Sequence, residues 1–272
     1  MRLYLFPCIL MLLAACGKES APTPTPPVPL HLLPQGNNPV DDTIMAFHLR
    51  YKSYVLYRFS HNDYAWNYTS TKTDTAFNAN PAYIDTALQF FRRQLTDYYP
   101  EAFLQKTMPF RILLAAYIGS GSTRSASGYA STNGMLAIGW ADSTILNKTP
   151  AEVKDMRSQL HRFYWERAYR TLSVEVPPAF QALMPAVGYA NLYGQYQRLS
   201  EGVVSTALTV DLTEDFLSYI ALITGKTTAE LEEGVFRPDV DQKGLIRKKY
   251  NAITAYYQSV HGVDLQAIGQ LP

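Results

Sequence analysis

Cysteine is nearly missing from this chain: only Cys8 and Cys16 occur in 272 residues, and both stand near the start. The remaining 256 positions can form no disulfide framework and no thiolate metal cluster. An excess of one charge is missing too, since 24 Lys and Arg face 23 Asp and Glu. That balance gives no electrostatic basis for binding nucleic acid. Beyond the first residues no apolar run is long enough to cross a bilayer. The Gly, Ser and Thr-rich stretch from Gly119 to Gly134 lacks the Gly-Lys-Ser/Thr ending of a phosphate cradle, so it reads as loop or wide hairpin. There is no Gly-x-Ser-x-Gly elbow for a serine nucleophile. The five histidines, His31, His48, His61, His161 and His261, include no two at metal-ligand spacing.

What is present begins at residue 2. Arg2 precedes an apolar run from Leu3 to Leu13, which leads into Leu13-Ala14-Ala15-Cys16. A short basic start, an apolar core and small residues before a cut are the parts of a signal peptide. The cysteine directly after Ala15 makes the site a bacterial lipobox. Residues 1–15 are therefore expected to be removed and Cys16 to carry the lipid. Cleavage would take Arg2 away and leave 23 charges of each sign. Gly17-Lys18-Glu19 lacks the aspartate that retains some lipoproteins in an inner membrane. The expected location is the outer membrane, with its outer face open as an alternative.

Residues 16–40 read as a lipidated cysteine and a tether. Seven prolines between Pro22 and Pro39 favour extended polyproline geometry over packing. Residues 41–272 have the apolar content of one globular body. Strands are expected over Ser53–Phe59, Pro109–Ile118 and Met135–Trp140, where aliphatic and aromatic residues cluster. Asn80-Pro81 should open a helix that runs to Tyr99, before Pro100. Thr149-Pro150-Ala151-Glu152 spells a capping box, and its helix should run to about Thr171. Further helices are expected from Asp211 to near Gly225 and from Val240 to His261. The fold class is α+β, a small mixed sheet packed by a long helix and by C-terminal helices.

The long helix carries Gln159-Leu160-His161-Arg162-Phe163-Tyr164-Trp165-Glu166. Here the chain resembles the substrate import-associated zinc metallohydrolase lipoproteins, a family of gluzincin-like metallopeptidases. The likeness rests also on the lipobox, the tether, the strand at Tyr51–Arg58 and the helix start Pro81-Ala82-Tyr83. It continues through Leu199-Ser200-Glu201-Gly202-Val203-Val204-Ser205, Thr213-Glu214-Asp215-Phe216, Lys249-Tyr250 and His261-Gly262-Val263-Asp264-Leu265. The resemblance implies a gluzincin-like fold and a His-Glu-x-x-His helix. Two histidines four apart would hold zinc there, and the glutamate would activate its water. A later acidic residue, mapping onto Glu214, would be the third ligand.

In that alignment His161 and Glu214 are residual metal positions, while Arg162 replaces the base and Trp165 the second histidine. Arginine keeps its proton near neutral pH and cannot serve as the base. One histidine and one carboxylate fall short of the three protein ligands of a catalytic zinc. The expectation is a non-hydrolytic homologue, used for binding or scaffolding beside a TonB-dependent import system, a setting implied by the resemblance alone. An active zinc enzyme with moved ligands (His161, Glu214, Asp215) and a purely structural envelope role stay open. A peptide or glycan ligand is also open, because 20 tyrosines and Trp66, Trp140 and Trp165 could furnish a stacking platform.

The degenerate site carries its own geometric expectation. Glu214 without a metal needs a cation, and Arg162 is the natural one. His161, Arg162 and Trp165 are expected to point together toward the segment at Glu214, with the Arg162 guanidinium or the His161 ring within hydrogen-bond reach of its carboxylate and the indole mostly buried beside them. Arg162 pairing with Glu166 instead is the competing arrangement.

Overall fold

The computed structural model describes residues 30–65, 73–125 and 127–272. The signal peptide, Cys16, Trp66 and most of the proline tether lie outside the described residues. The chain is attached to the body before Asp41. The Gln35 side-chain oxygen accepts the Tyr57 N–H at 2.8 Å, and its amide donates to the Arg58 carbonyl at 2.5 Å.

A six-stranded mixed sheet forms one layer. β1 (Tyr54–Leu56), β3 (Arg111–Ser120) and β6 (Met135–Ile138) run parallel, and β5 (Tyr129–Ser131) pairs antiparallel with β6. β2 (Thr75–Asn78) and β4 (Thr123–Arg124) pair antiparallel with the far half of β3. Along β3 the side chains alternate, as a strand with both faces covered requires. Ile112 and Leu114 join the main core with Val55, Leu136 and Ile138. Leu113 and Ala115 join a smaller cluster with Leu56, Tyr64 and Met135.

Helices cover the sheet. In chain order they are α1 (Asp41–Tyr51), α2 (His61–Ala65), α3 (Ile84–Gln94), α4 (Glu101–Thr107), α5 (Pro150–Arg170), α6 (Pro178–Gln181), α7 (Gln195–Ser200), α8 (Leu212–Gly225), α9 (Thr228–Glu233), α10 (Leu245–His261) and α11 (Leu265–Gly269). The 21-residue helix α5 starts at the capping box expected of it: Thr149 and Glu152 each bond the other's backbone N–H. Asp211 caps α8 by accepting from Glu214 N–H at 2.7 Å. α5 and α8 pack along each other so closely that a Cβ on Gly225 would sit 2.7 Å from Cβ of Ser158.

Several boundaries differ from the sequence reading. The helix expected from Pro81 to Tyr99 is a 3-10 turn at Pro81–Tyr83, then α3, then a second 3-10 turn at Thr96–Tyr98. It breaks where the Gln94 carbonyl turns to the ring of His161. The last helix begins at Leu245, not Val240, because both carboxylate oxygens of Asp241 accept the N–H groups of Ile246 and Arg247 at 2.9 Å. The first strand shrinks to three residues, and the Gly119–Gly134 loop contains β4 and β5.

Candidate functional site

Helix α5 divides into two faces, and the division decides which residues can do chemistry. Met156, Leu160, His161, Tyr164, Trp165 and Ala168 are buried, a stripe at three- and four-residue spacing. Lys154, Asp155, Ser158, Gln159 and Arg162 instead line an open cavity of about 620 Å³ between α5 and α8, with Ser205, Glu214, Ser218 and Lys226.

Arg162 and Glu214 meet in this cavity. Arg162 Nη2 donates to Glu214 Oε2 at 2.6 Å. Glu214 Oε1 accepts from Ser205 Oγ at 2.6 Å and Ser218 Oγ at 3.0 Å. The carboxylate therefore has a partner on each oxygen, and its charge is neutralised by the guanidinium. Three partners in charge-assisted contact hold it more firmly than a lone surface pair would be held. Glu166 pairs with Arg170 at 3.4 Å, so the competing Arg162–Glu166 arrangement does not form.

His161 and Trp165 are not beside this pair, contrary to the expectation that all three helix residues aim at Glu214. Neighbouring positions on a helix lie about 100 degrees apart, which sends residue 161 to the core when 162 faces the cavity. His161 Nε2 is 2.8 Å from the Gln94 carbonyl, so this nitrogen carries the proton. Its Nδ1 then accepts the Tyr99 hydroxyl at 2.6 Å. The same hydroxyl oxygen accepts the Trp165 indole N–H at 2.8 Å. The chain of donors is complete and buried. Trp165 is fully buried, 4.5 Å edge-on to Tyr257 and 5.6 Å from Phe103. Burial pushes the His161 pKa down to about 3, so the ring is neutral across the physiological range.

Of the two residual metal positions, only Glu214 opens on the cavity; His161 is a core residue. The residues do not fit a catalytic zinc. The α5 side chain that meets Glu214 is Arg162, which brings a positive charge and no lone pair for a metal. Ser158, on the same side of the helix, spends its Oγ on the Ala221 carbonyl at 2.9 Å. Among the described residues no group of three His, Cys, Asp or Glu is placed to hold a metal ion.

Asp215, which might have swung in as a replacement ligand, is committed elsewhere. Its Oδ2 accepts from Lys249 Nζ at 2.6 Å and from the Tyr189 hydroxyl at 2.9 Å, and both members of the ion pair are fully buried. Burial raises the Asp215 pKa and lowers that of Lys249. The pair ties α8 to α10. His48 and His61 bond the Ser53 carbonyl and Thr75 hydroxyl, and His261 stacks on Tyr257, so none of these approaches Glu214. Trp140 and Trp165 are buried, and among the described residues no aromatic ring lines the cavity. The stacking platform is not formed there.

Sequence reading missed Ser158, Gln159, Ser205 and Ser218. The signal that finds the first two is the apolar stripe itself, which puts 161 and 165 on the core side.

No protein-family model matches the sequence, and no curated protein matches it. The fold is similar to that of a solved structure, a candidate zinc-binding metallo-peptidase from Bacteroides caccae ATCC 43185, with a TM-score of 0.54 and 15% identity. The match covers 84% of this chain and 87% of that one. The α+β fold is therefore metallopeptidase-like.

Proposed function

We propose that this protein is a lipid-anchored envelope protein that uses a metallopeptidase-like cleft to bind a ligand without zinc-dependent hydrolysis. The observation that carries the reading is the 2.6 Å contact between Arg162 and Glu214, the one acidic position common to this cleft and the resembling zinc motif. A guanidinium that already neutralises Glu214 takes the electrostatic role of the cation. A metal entering there would have to displace it and would find no histidine. The rearranged set of His161, Glu214 and Asp215 gains no support, since the first lies in the core on Tyr99 and the third on Lys249. Protein purified without chelator is expected to carry well under one zinc per chain by elemental analysis. Stoichiometric zinc that disappears with Glu214→Ala would sink the reading.

The anchor is Cys16, supported by the lipobox Leu13-Ala14-Ala15-Cys16. Cys16→Ser is expected to move the protein from the membrane pellet to the soluble fraction, because acylation at that residue is the attachment. Continued pelleting of the variant would point to a second binding surface. A place beside an outer-membrane, TonB-dependent import system is supported by the family resemblance. Co-purification of a transporter with the protein from detergent-solubilised membranes tests it.

A further inference from the structure

Arg162 spends only one edge on Glu214. Among the described residues its other N–H groups donate to no protein acceptor, and the side chain is about a quarter exposed, at 26%. It lines both the large cavity and a neighbouring one of about 320 Å³ on the far side of the pair. Glu214 therefore acts as a bracket that fixes the guanidinium and leaves its remaining fork open to the cleft. A fixed guanidinium fork matches a carboxylate in plane and spacing.

The rest of the lining sharpens the class of ligand. Lys154 is tied to Glu230, whereas Lys226 and Asp155 line the cavity without an ion-pair partner among the described residues. The cleft thus offers free N–H donors at Arg162, an unpaired positive charge at Lys226 beside them and an unpaired negative charge at Asp155. Gln159, between the two ends, makes no side-chain hydrogen bond to the described residues and offers both an acceptor and donors. Asp155 and Arg162 are seven positions apart on one helix face, which is about 10 Å along the axis. An extended peptide covers that distance in about three residues. A sugar chain would find no aromatic face to stack on here.

We propose that this cleft captures a short peptide of about three residues, its terminal carboxylate held by Arg162 and its ammonium end by Asp155. The assignment rests on reading the cleft as a binding site that does not cut. Arg162 sets specificity for the carboxylate end of the peptide.

The test uses the full-length protein in detergent and a random tripeptide library in three forms: free acid, carboxyl-terminal amide and N-acetylated acid. Bound peptide is measured by mass spectrometry after ultrafiltration. The free acids should be retained about tenfold more than the amides, a ratio that a charge-assisted contact supports. N-acetylation should weaken retention as well. Arg162→Gln should lower the free acids to the level of the amides, and Arg162→Lys should keep part of the difference. Equal retention of acids and amides by the wild-type protein, or retention of neither, overturns the proposal whether or not the variants fold. Binding of trigalacturonate in place of the peptides would also overturn it, by giving the carboxylate another source. Chelator-sensitive cleavage of the library would instead bring down the non-hydrolytic reading beneath it.

Discussion

Arg162→Ala is expected to destabilise the protein at pH 7 by about 1–3 kcal/mol, because it leaves the largely buried Glu214 carboxylate without its cation. Adding Glu214→Gln, which removes the stranded charge, should recover part of that loss. Denaturant titrations of the three proteins read this directly, and a single variant as stable as wild type would show that the guanidinium does not neutralise Glu214. A second pair of substitutions tests the placing of the neighbouring residues. Arg162→Glu with Trp165→His writes the motif from His161 onward, but it empties the space of a fully buried indole. That change should cost on the order of 4 kcal/mol and bring no zinc, because its two histidines face Tyr99 and Phe103. If that variant takes up zinc, the placing of His161 and Trp165 in the core is wrong.

The second large effect is acid lability from His161. Its folded pKa, about 3, lies far below its ordinary value of 6.5, with burial as the main cause. Between those values the unfolded chain binds a proton that the folded chain refuses. Stability is therefore intact above pH 6.5 and is lost as the pH falls towards 3, at about 1.4 kcal/mol per pH unit for this group. The loss amounts to roughly 4 kcal/mol, which is large beside the total stability of an ordinary domain. Glu152 and Glu230, each held down near 2 by caps or ion pairs, add their own loss at lower pH. His161→Gln separates the contributions, since an amide can accept from Tyr99 and donate to Gln94 but does not titrate. The variant should be less stable than wild type at pH 7 and should lose much less between pH 6.5 and 3 in denaturant titrations. Parallel curves for the two proteins would show that the ring does not titrate as its surroundings dictate.

The elements with strong local chemistry were legible. Thr149 and Glu152 announce α5 because a capping box is a contact between near neighbours, and Asp211 announces α8 for the same reason. β2 and β5 were not legible, because three or four residues are too few to show alternation and their pairing partners lie far along the chain. The end of α3 at Gln94 depends on His161, 67 positions away. In the site, the pairing of Arg162 with Glu214 followed from the need to neutralise a carboxylate. The placing of His161 did not follow, because a motif matched by residue letters ignores which side of the helix is buried. Leu160, Tyr164 and Ala168 carried that information, and they put His161 and Trp165 with the core.

The central claim, that a guanidinium stands on Glu214 where a related zinc helix would place metal, is tested most directly by a crystal structure from zinc-containing solution. Diffraction would be recorded on both sides of the zinc absorption edge. The account predicts Arg162 within hydrogen-bond distance of the Glu214 carboxylate and no anomalous peak at that position. A peak within coordination distance of Glu214, with Arg162 turned away, would contradict it.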